Sequence, residues 1–460
     1  MTSLRSDLRL AWQLTRGSDR REWWRISLTA TGAALATGFA LAAVTLASLR
    51  GHYAVPVGNG LLDQPGERSG AVVALLLLLV PVLGFLGQCA RIGAVHRDRR
   101  LAALRLAGAT PGQVRRIAAL ETGPACLLGS ALVTLVAAGC VLSLWDHATA
   151  VTWAGIAAVA LGVPVLGAAA GALALRRVVI SPLGHVRRVR PQSGRGPGLL
   201  FAGGVLLIAV VAGVAVFGTS AGSPNTRPGY GQVPLMVAGL LLTVGAGSVW
   251  LVGATAGLVG RLSARRARTA ATLIAAERLR DDPWAAARTH AAVLMVTVGG
   301  TGFVGIRQTL LADLHGMDRA GHLGMSMSFY TTGLNLTGAA VLAALLITLS
   351  GLAVGTAESL AGRRRGLAAQ TAAGVPRRVL ARAQLLETAL PLAPAVLLAG
   401  VGGMTIGTWY ASITTEYADP GVPYAALLVP LAVYASCLSA AATSLPLLRR
   451  SVHPAELRQV

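Results

Sequence analysis

Long apolar blocks alternate with short polar segments along the whole chain. Blocks such as 71–90 and 338–357 run for about 20 residues, the length at which a helix crosses a hydrocarbon core of about 30 Å. The pattern therefore predicts an all-α polytopic membrane protein with about ten transmembrane helices. The predicted spans are 26–48, 70–90, 117–143, 151–174, 198–217, 233–260, 289–306, 330–357, 383–408 and 423–447.

Composition supports the membrane class and excludes an ordinary soluble domain. Of 460 residues, 54% are hydrophobic and 13% are charged, whereas a soluble domain carries roughly twice that share of charge. Ala, Gly and Arg are abundant and lysine is absent, which indicates a bacterial source. We therefore expect a multi-pass protein of the bacterial cell (plasma) membrane.

The distribution of arginine predicts the orientation. Of the 40 basic residues, all of them Arg, 35 fall in the segments on the N-terminal side of the membrane and five in the loops on the other side. Because positive charge favours cytoplasmic loops, both termini are predicted to be cytoplasmic. The outside loops are all too short to hold a folded domain.

The same charge pattern argues against other function classes. The formal net charge is +22, but the arginines lie between apolar blocks and form no separate basic domain, so we expect no nucleic-acid binding. Four cysteines lie in apolar blocks without a Cys-x-x-Cys pair, and eight histidines lack ligand spacing. Neither a disulfide framework, a metal site nor a catalytic group is predicted.

An internal repeat organises the chain. A shift of 266 residues superimposes 97–122 on 363–388 with eleven of 26 positions identical, including Gly108 with Gly374 and Glu121 with Glu387. We expect a duplication, with two four-helix repeats in the same orientation and a two-helix linker. The predicted domains are an amphipathic N-terminal helix at 1–25, a first repeat at 26–190, linker spans five and six at 191–268, and a second amphipathic helix with the second repeat at 269–460.

Each repeat contains a predicted helical elbow in a cytoplasmic loop. In the first, a basic helix continues from span two, Gly108 provides a left-handed C-cap, and Thr110 with Gln113 forms a capping box around Pro111. The second elbow retains Gly374 but lacks the Thr and Gln, so we expect a weaker N-cap. The alternative for both is a merely solvated basic loop that serves membrane topology.

The first elbow resembles a known family signature. Residues 99–114, RRLAALRLAGATPGQV, followed by Glu121, resemble the signature segment of FtsX-like permeases, the membrane subunits of MacB-type ABC transporters. Residues 366–376, GLAAQTAAGVP, with Glu387 are similar to a second, more degenerate copy. The closing PAELR at 454–458 is similar to the family's usual ending. The resemblance covers spans two to four and eight to ten.

Membership of this family implies a function and a partner. The loops would contact an ATP-binding cassette subunit, present as a homodimer, whose ATP hydrolysis moves the helices. The implied coupling residues are Arg97, Arg99, Arg100, Leu104, Leu106, Gly108, Thr110, Pro111, Gln113, Arg365, Leu367, Gly374 and Pro376. Without a large extracellular domain, this form fits export or extraction of a hydrophobic or amphipathic drug, peptide or lipid at the bilayer.

ATP chemistry is expected on the partner and not on this chain. A phosphate-binding loop requires a lysine, and the sequence contains none, so we expect no cofactor here and place ATP and Mg on the partner. Glu121 and Glu387 are expected to be helix-end carboxylates paired with loop arginines. The alternatives are a secondary transporter with a carboxylate proton relay, which would need acids near the bilayer midplane, and a signalling or mechanotransmitting permease.

Overall fold

A computed structural model describes most of the chain. It covers residues 20–49, 51, 59–63, 65–90, 92, 103–104, 106–144, 149–174, 233–413 and 421–451. Within these ranges the regular structure is helical, with no strand. Nearly all of the predicted N-terminal helix at 1–25 and all of span five at 198–217 lie outside them.

The helices are labelled in chain order. They are α1 (Arg20–Ser48), α2 (Pro65–Leu77), α3 (Leu79–Cys89), α4 (Pro111–Leu144), α5 (Ala150–Ala174), α6 (Val233–Arg265), α7 (Ala270–Asp281), α8 (Pro283–Arg319), α9 (Met327–Gly362), α10 (Arg364–Ala372), α11 (Arg377–Ile413), α12 (Leu428–Ala442) and α13 (Leu445–Ser451). A short 3-10 turn, Tyr424–Leu427, precedes α12.

In the described part of the chain, nine helical segments are long and apolar enough to cross a membrane. They correspond to every predicted span except span five, and the predicted all-α polytopic class is confirmed. Several helices are longer than predicted, because polar residues continue them beyond their apolar stretches. The largest difference is α8, which runs from Pro283 to Arg319 where the sequence predicted a span only at 289–306.

The chain divides into two compact units. One contains 1–48 and 85–192, and the other contains 49–84 and 193–460. The border after residue 192 lies next to the predicted end of the first repeat, whereas residues 49–84 group with the second unit. The predicted domain boundaries remain predictions.

In the first unit, α1 packs closely along α4. The backbone of Gly129 on α4 lies so near Ala30 that a side-chain carbon at Gly129 would meet the Ala30 carbonyl oxygen. Ser130 Oγ donates to the Ala160 carbonyl oxygen of α5 at 3.2 Å. Small residues thus allow close helix approach, as in many membrane helix pairs.

In the second unit, α8 packs along α11 in the same way. A side-chain carbon at Gly403 would lie 2.6 Å from the Val298 carbonyl oxygen, and one at Gly305 would lie 3.1 Å from the Cα of Gly407. Leu294 and Leu392 are fully buried in the apolar cluster around this contact. By the repeat shift, α8 and α11 are equivalent to α1 and α4. Each unit therefore contains an equivalent pair of closely packed helices.

The prolines of the repeat also correspond. Pro164 in α5 and Pro430 in α12 are separated by the repeat shift of 266, and both are buried inside a helix. Gly400 on α11 makes room for Pro430, whose Cγ would lie 2.5 Å from a side-chain carbon at that glycine. The duplication seen in the elbows therefore extends into the spans.

A buried arginine organises the loop between the first two spans. Arg68 on α2 is 1% exposed, and its guanidinium donates to the carbonyl oxygens of Leu49 at 2.8 Å, Asp63 at 3.0 Å and Gly51. Asn59 Nδ2 donates to Thr332 Oγ1 at the start of α9 at 3.0 Å. The described residues of this loop are therefore held against α2 and α9.

Candidate functional site

The first elbow has the predicted glycine cap. Gly108 adopts φ +98°, in the region that favours glycine. The amide of Ala109 donates to the Leu104 carbonyl oxygen at 3.0 Å, the six-to-one bond that closes a helix in a Schellman motif. The helical turn before Gly108 therefore ends there, and the chain reverses.

The second arm of the first elbow begins with the predicted capping box. The amide of Gln113 donates to Thr110 Oγ1 at 3.3 Å, and the amide of Thr110 donates to Gln113 Oε1 at 2.8 Å. Two amides at the start of α4 are thereby satisfied reciprocally. Pro111 occupies the first helical position, where its missing N–H costs nothing.

The second elbow has a complete C-cap and a simpler N-terminus. Gly374 adopts φ +89°, and its amide donates to the Thr371 carbonyl oxygen at 3.0 Å. The amide of Val375 donates to the Gln370 carbonyl oxygen at 3.0 Å. These are the two bonds of a Schellman motif. Pro376 stands at the repeat position of Thr110 and has no side-chain oxygen. Only its carbonyl oxygen accepts a hydrogen bond from an amide of the next turn. The prediction that the capping box is missing here is confirmed.

Both elbows continue without interruption into a span. The 34 residues of α4 and the 37 residues of α11 give helices of about 51 Å and about 55 Å at 1.5 Å per residue. The arm after each glycine is thus one end of a helix long and apolar enough to cross a membrane. A displacement at either elbow would move that span directly.

Buried apolar residues hold each elbow in place. Val114 and Ile117 on α4 are 0% and 3% exposed. In the second unit Leu367 on α10 packs with Leu360, Leu380 and Leu448 in a separate cluster. Leu367 was predicted to contact the partner, but it is 2% exposed and instead fixes α10 against α9, α11 and α13.

The corners of both elbows are exposed. Leu106 is 52% exposed, and Gly108, Thr110 and Pro111 are exposed beside it. Pro376 and Gly374 form the corresponding exposed corner of the second elbow, while Leu104 and Gln113 are half-buried. These corners are suited to shallow contact with another protein.

Some predicted coupling residues lie outside the described part of the chain. They are Arg97, Arg99 and Arg100, together with the side chain of Arg365. Among the described residues, no group of three or more His, Cys, Asp or Glu side chains is arranged to hold a metal ion.

The two predicted helix-end carboxylates lie deeper than expected. Glu121 is ten residues after Pro111, and Glu387 is ten residues after Arg377. A helix dipole acts within the first turn, so it does not explain either position. The first carboxylate instead pairs with Arg25 of α1, with Arg25 Nη2 and Glu121 Oε1 3.6 Å apart and both side chains nearly buried.

Glu387 is held by two arginines from different elements. Arg363, between α9 and α10, donates to both carboxylate oxygens at 2.6 Å and 2.7 Å, and Arg278 on α7 donates to Oε2 at 3.1 Å. Sequence reasoning expected a loop arginine and did not identify Arg278 or Arg25. Both come from distant segments that no local pattern connects to the glutamates.

Comparison with known families identifies part of the first unit. The sequence profile described as FtsX-like permease C-terminal matches residues 70–183. The matched range is about a quarter of the chain and includes the first elbow. Comparisons with curated proteins and with solved structures gave no significant match. Residues 70–183 thus match an FtsX-like permease domain, which supports the family predicted from the sequence. Together with the nine apolar helices of the described residues, the match supports a multi-pass membrane permease component of an ABC-type transporter.

Proposed function

We propose that this chain couples ATP hydrolysis on a separate ATP-binding cassette subunit to export or extraction of a hydrophobic or amphipathic compound at the bacterial plasma membrane. The observation that carries the proposal is the duplicated elbow, in which an exposed corner with a left-handed glycine, Gly108 or Gly374, leads directly into a long transmembrane helix. Two equivalent elbows fit a homodimeric ATPase, one elbow to each copy.

The helix contacts provide a route for the movement. A displacement of α4 would carry α1 with it, because Gly129 places the two backbones in direct contact. The contact between Gly305 and Gly407 does the same for α8 and α11. Close backbone packing resists independent sliding, so each elbow would move a helix pair as one body.

The ATP chemistry belongs to the partner in this account. Lysine is absent from the sequence, and a phosphate-binding loop uses lysine to reach the nucleotide phosphates. The partner would therefore supply the residues that bind ATP and Mg. The arginine pairs of Glu121 and Glu387 favour structural carboxylates over a proton relay, which supports an ATP-driven permease over a secondary transporter.

An apolar groove supports a hydrophobic substrate. It has a volume of about 430 Å³ and lies between α11 and the start of α12, lined by Leu397, Val401 and Met404 on one side and Leu427 and Leu431 on the other. Thr405 and Thr408 are its hydroxyl-bearing residues. In the predicted orientation this groove opens toward the outer leaflet.

The proposal is tested by co-purification. The full chain, expressed with a candidate soluble ATP-binding subunit from the same genome, is expected to retain that subunit through affinity purification in detergent. The purified chain alone should hydrolyse no ATP. Hydrolysis by the isolated chain that survives removal of contaminants would contradict the division of labour.

The predicted orientation is tested by labelling single cysteines in a variant whose four native cysteines are replaced by alanine. Cysteines at Gly60, Gly229 and Asp419 are expected to react with an impermeant thiol reagent added to intact cells. Cysteines at Gly108 and Gly374 should react only after the membrane is opened, because the arginine-rich side stays cytoplasmic. The reverse pattern would place the elbows outside and remove the basis for coupling.

A further inference from the structure

The end of α6, the following turn and the start of α7 form a hairpin whose tip is strongly basic. We define the hairpin tip as residues 261–272. It carries four exposed arginines in eight residues, namely Arg261, Arg265, Arg266 and Arg268. Thr269 caps α7 by accepting from the amide of Thr272 at 3.2 Å, so the turn has a fixed geometry.

The hairpin is a packed structural element. Leu279 of α7 is buried against Ala256 and Val259 of α6. Gly260 allows the close approach, since a side-chain carbon there would lie 3.2 Å from the Ala276 carbonyl oxygen. The predicted second amphipathic helix corresponds to α7, which runs back along α6, antiparallel to it.

The hairpin tip lies at the level of the second elbow. The segment formed by α7 and α8 runs parallel to α11. Arg278 lies beside Glu387 near one end of this contact, and Gly305 lies beside Gly407 near the other. Ala270, the first residue of α7, lies eight residues before Arg278, and Arg377, the first residue of α11, lies ten residues before Glu387, so both helices begin at a similar distance from this ion pair. At 1.5 Å per residue, the start of α7 is about 12 Å farther along its axis than Arg278, on the side away from α8.

The arginines of the hairpin tip have no carboxylate partner among the described residues. In this they differ from Arg278 and Arg280 of the same hairpin, which pair with Glu387 and Glu277. A groove of about 250 Å³ lies within the tip, lined by Leu262, Ser263, Arg266 and Thr272. A guanidinium beside two hydroxyl groups suits a carboxylate side chain.

We propose that the hairpin tip is a third docking element, which binds an acidic surface of the ATP-binding subunit beside the second elbow, with a carboxylate side chain of that subunit at Arg266. The inference rests on the proposed function. Four unneutralised arginines favour an acidic partner, and their level beside the second elbow makes the tip continuous with the proposed coupling surface.

The test compares two pairs of exposed arginines. Arg266→Gln with Arg268→Gln removes two charges from the tip, and the control Arg307→Gln with Arg319→Gln removes two charges from α8 on the side predicted to face outward. Affinity for the co-purifying ATP-binding subunit is measured with each full-chain variant in nanodiscs at low salt. The tip variant is expected to bind about threefold to tenfold more weakly, the control unchanged, and the difference should shrink at high salt.

Other outcomes would overturn the inference. If the tip variant binds the ATP-binding subunit as tightly as wild type, the tip is not a docking element, and the proposed function of the elbows is unaffected. If it loses retained phosphatidylglycerol but keeps the subunit, the tip contacts lipid and the inference is wrong. If wild type binds no ATP-binding subunit at all, the proposed function itself has failed.

Discussion

Gly108→Val is expected to lower transport by about tenfold or more while leaving the spans inserted. The glycine has φ +98°, where a β-branched side chain carries about 1–3 kcal/mol of strain, and 1.4 kcal/mol corresponds to a factor of ten. Among the described residues, no other group lies within 4 Å of the position where a side chain would start, so the cost is in the backbone and not in a clash. Relief of that strain would turn α4 away from its present direction.

The same added side chain at Gly112 serves as the control. Gly112 lies in the first turn of α4, has open space around it and has no positive φ. Gly112→Val should insert, bind the ATP-binding subunit and transport at close to the wild-type rate. If both variants fail, added bulk at the elbow is the cause. If Gly108→Val transports normally, the elbow is not a coupling element.

The corresponding substitution in the second elbow measures the contribution of that elbow to transport separately from the first. Gly374→Val meets the same backbone restriction at φ +89°, with Gly366→Val on α10 as its control. The buried cluster of Leu360, Leu367, Leu380 and Leu448 holds this elbow even when its cap is strained. We therefore expect a smaller loss of transport than at Gly108, measured in the same vesicles.

Glu121→Gln is expected to destabilise the protein by about 3–5 kcal/mol, because it leaves the Arg25 guanidinium charged and buried without its carboxylate. Thermal unfolding in detergent should show a clear fall in Tm. Replacing both partners, Arg25→Met with Glu121→Met, should recover most of the loss, since an apolar pair of similar volume removes the buried charge.

Glu277→Gln is the matched control for that loss. Glu277 pairs with Arg280 one turn along α7, but both side chains are about half exposed. Exposed pairs contribute about 0–1 kcal/mol, so Tm should hardly change. An equal fall in Tm for both variants would mean that the Arg25 pair has no special structural weight. Full stability of Glu121→Gln would lead to the same conclusion.

The elbows could be predicted from the sequence because their determinants are local. A glycine after a helical segment and a Thr-x-x-Gln pattern fix the chain over a few residues, whatever surrounds them. Gly108, Thr110 and Gln113 accordingly adopt the expected geometry. The repeat added independent support, since Gly374 has the same cap.

The partners of the glutamates and the path of α7 could not be predicted in this way. Arg25 and Glu121 are 96 positions apart, and Arg278 and Glu387 are 109 apart, so only helix packing brings them together. The amphipathic pattern of α7 fits a membrane surface as well as a protein groove. In the structure, α7 packs against α6, and Gly260 allows the close approach. Because the chain contains many glycines, this one glycine could not be recognised from the sequence as a helix contact.

The most direct measurement is the ATP hydrolysis rate of the soluble ATP-binding subunit, with and without this chain in nanodiscs. The account predicts no hydrolysis by the chain alone, a rate increase when wild-type chain is added, and loss of that increase when Gly108→Val and Gly374→Val are combined. Hydrolysis by the chain alone, or an increase that persists unchanged in the combined variant, would contradict the claim that the elbows couple a separate ATPase to the spans.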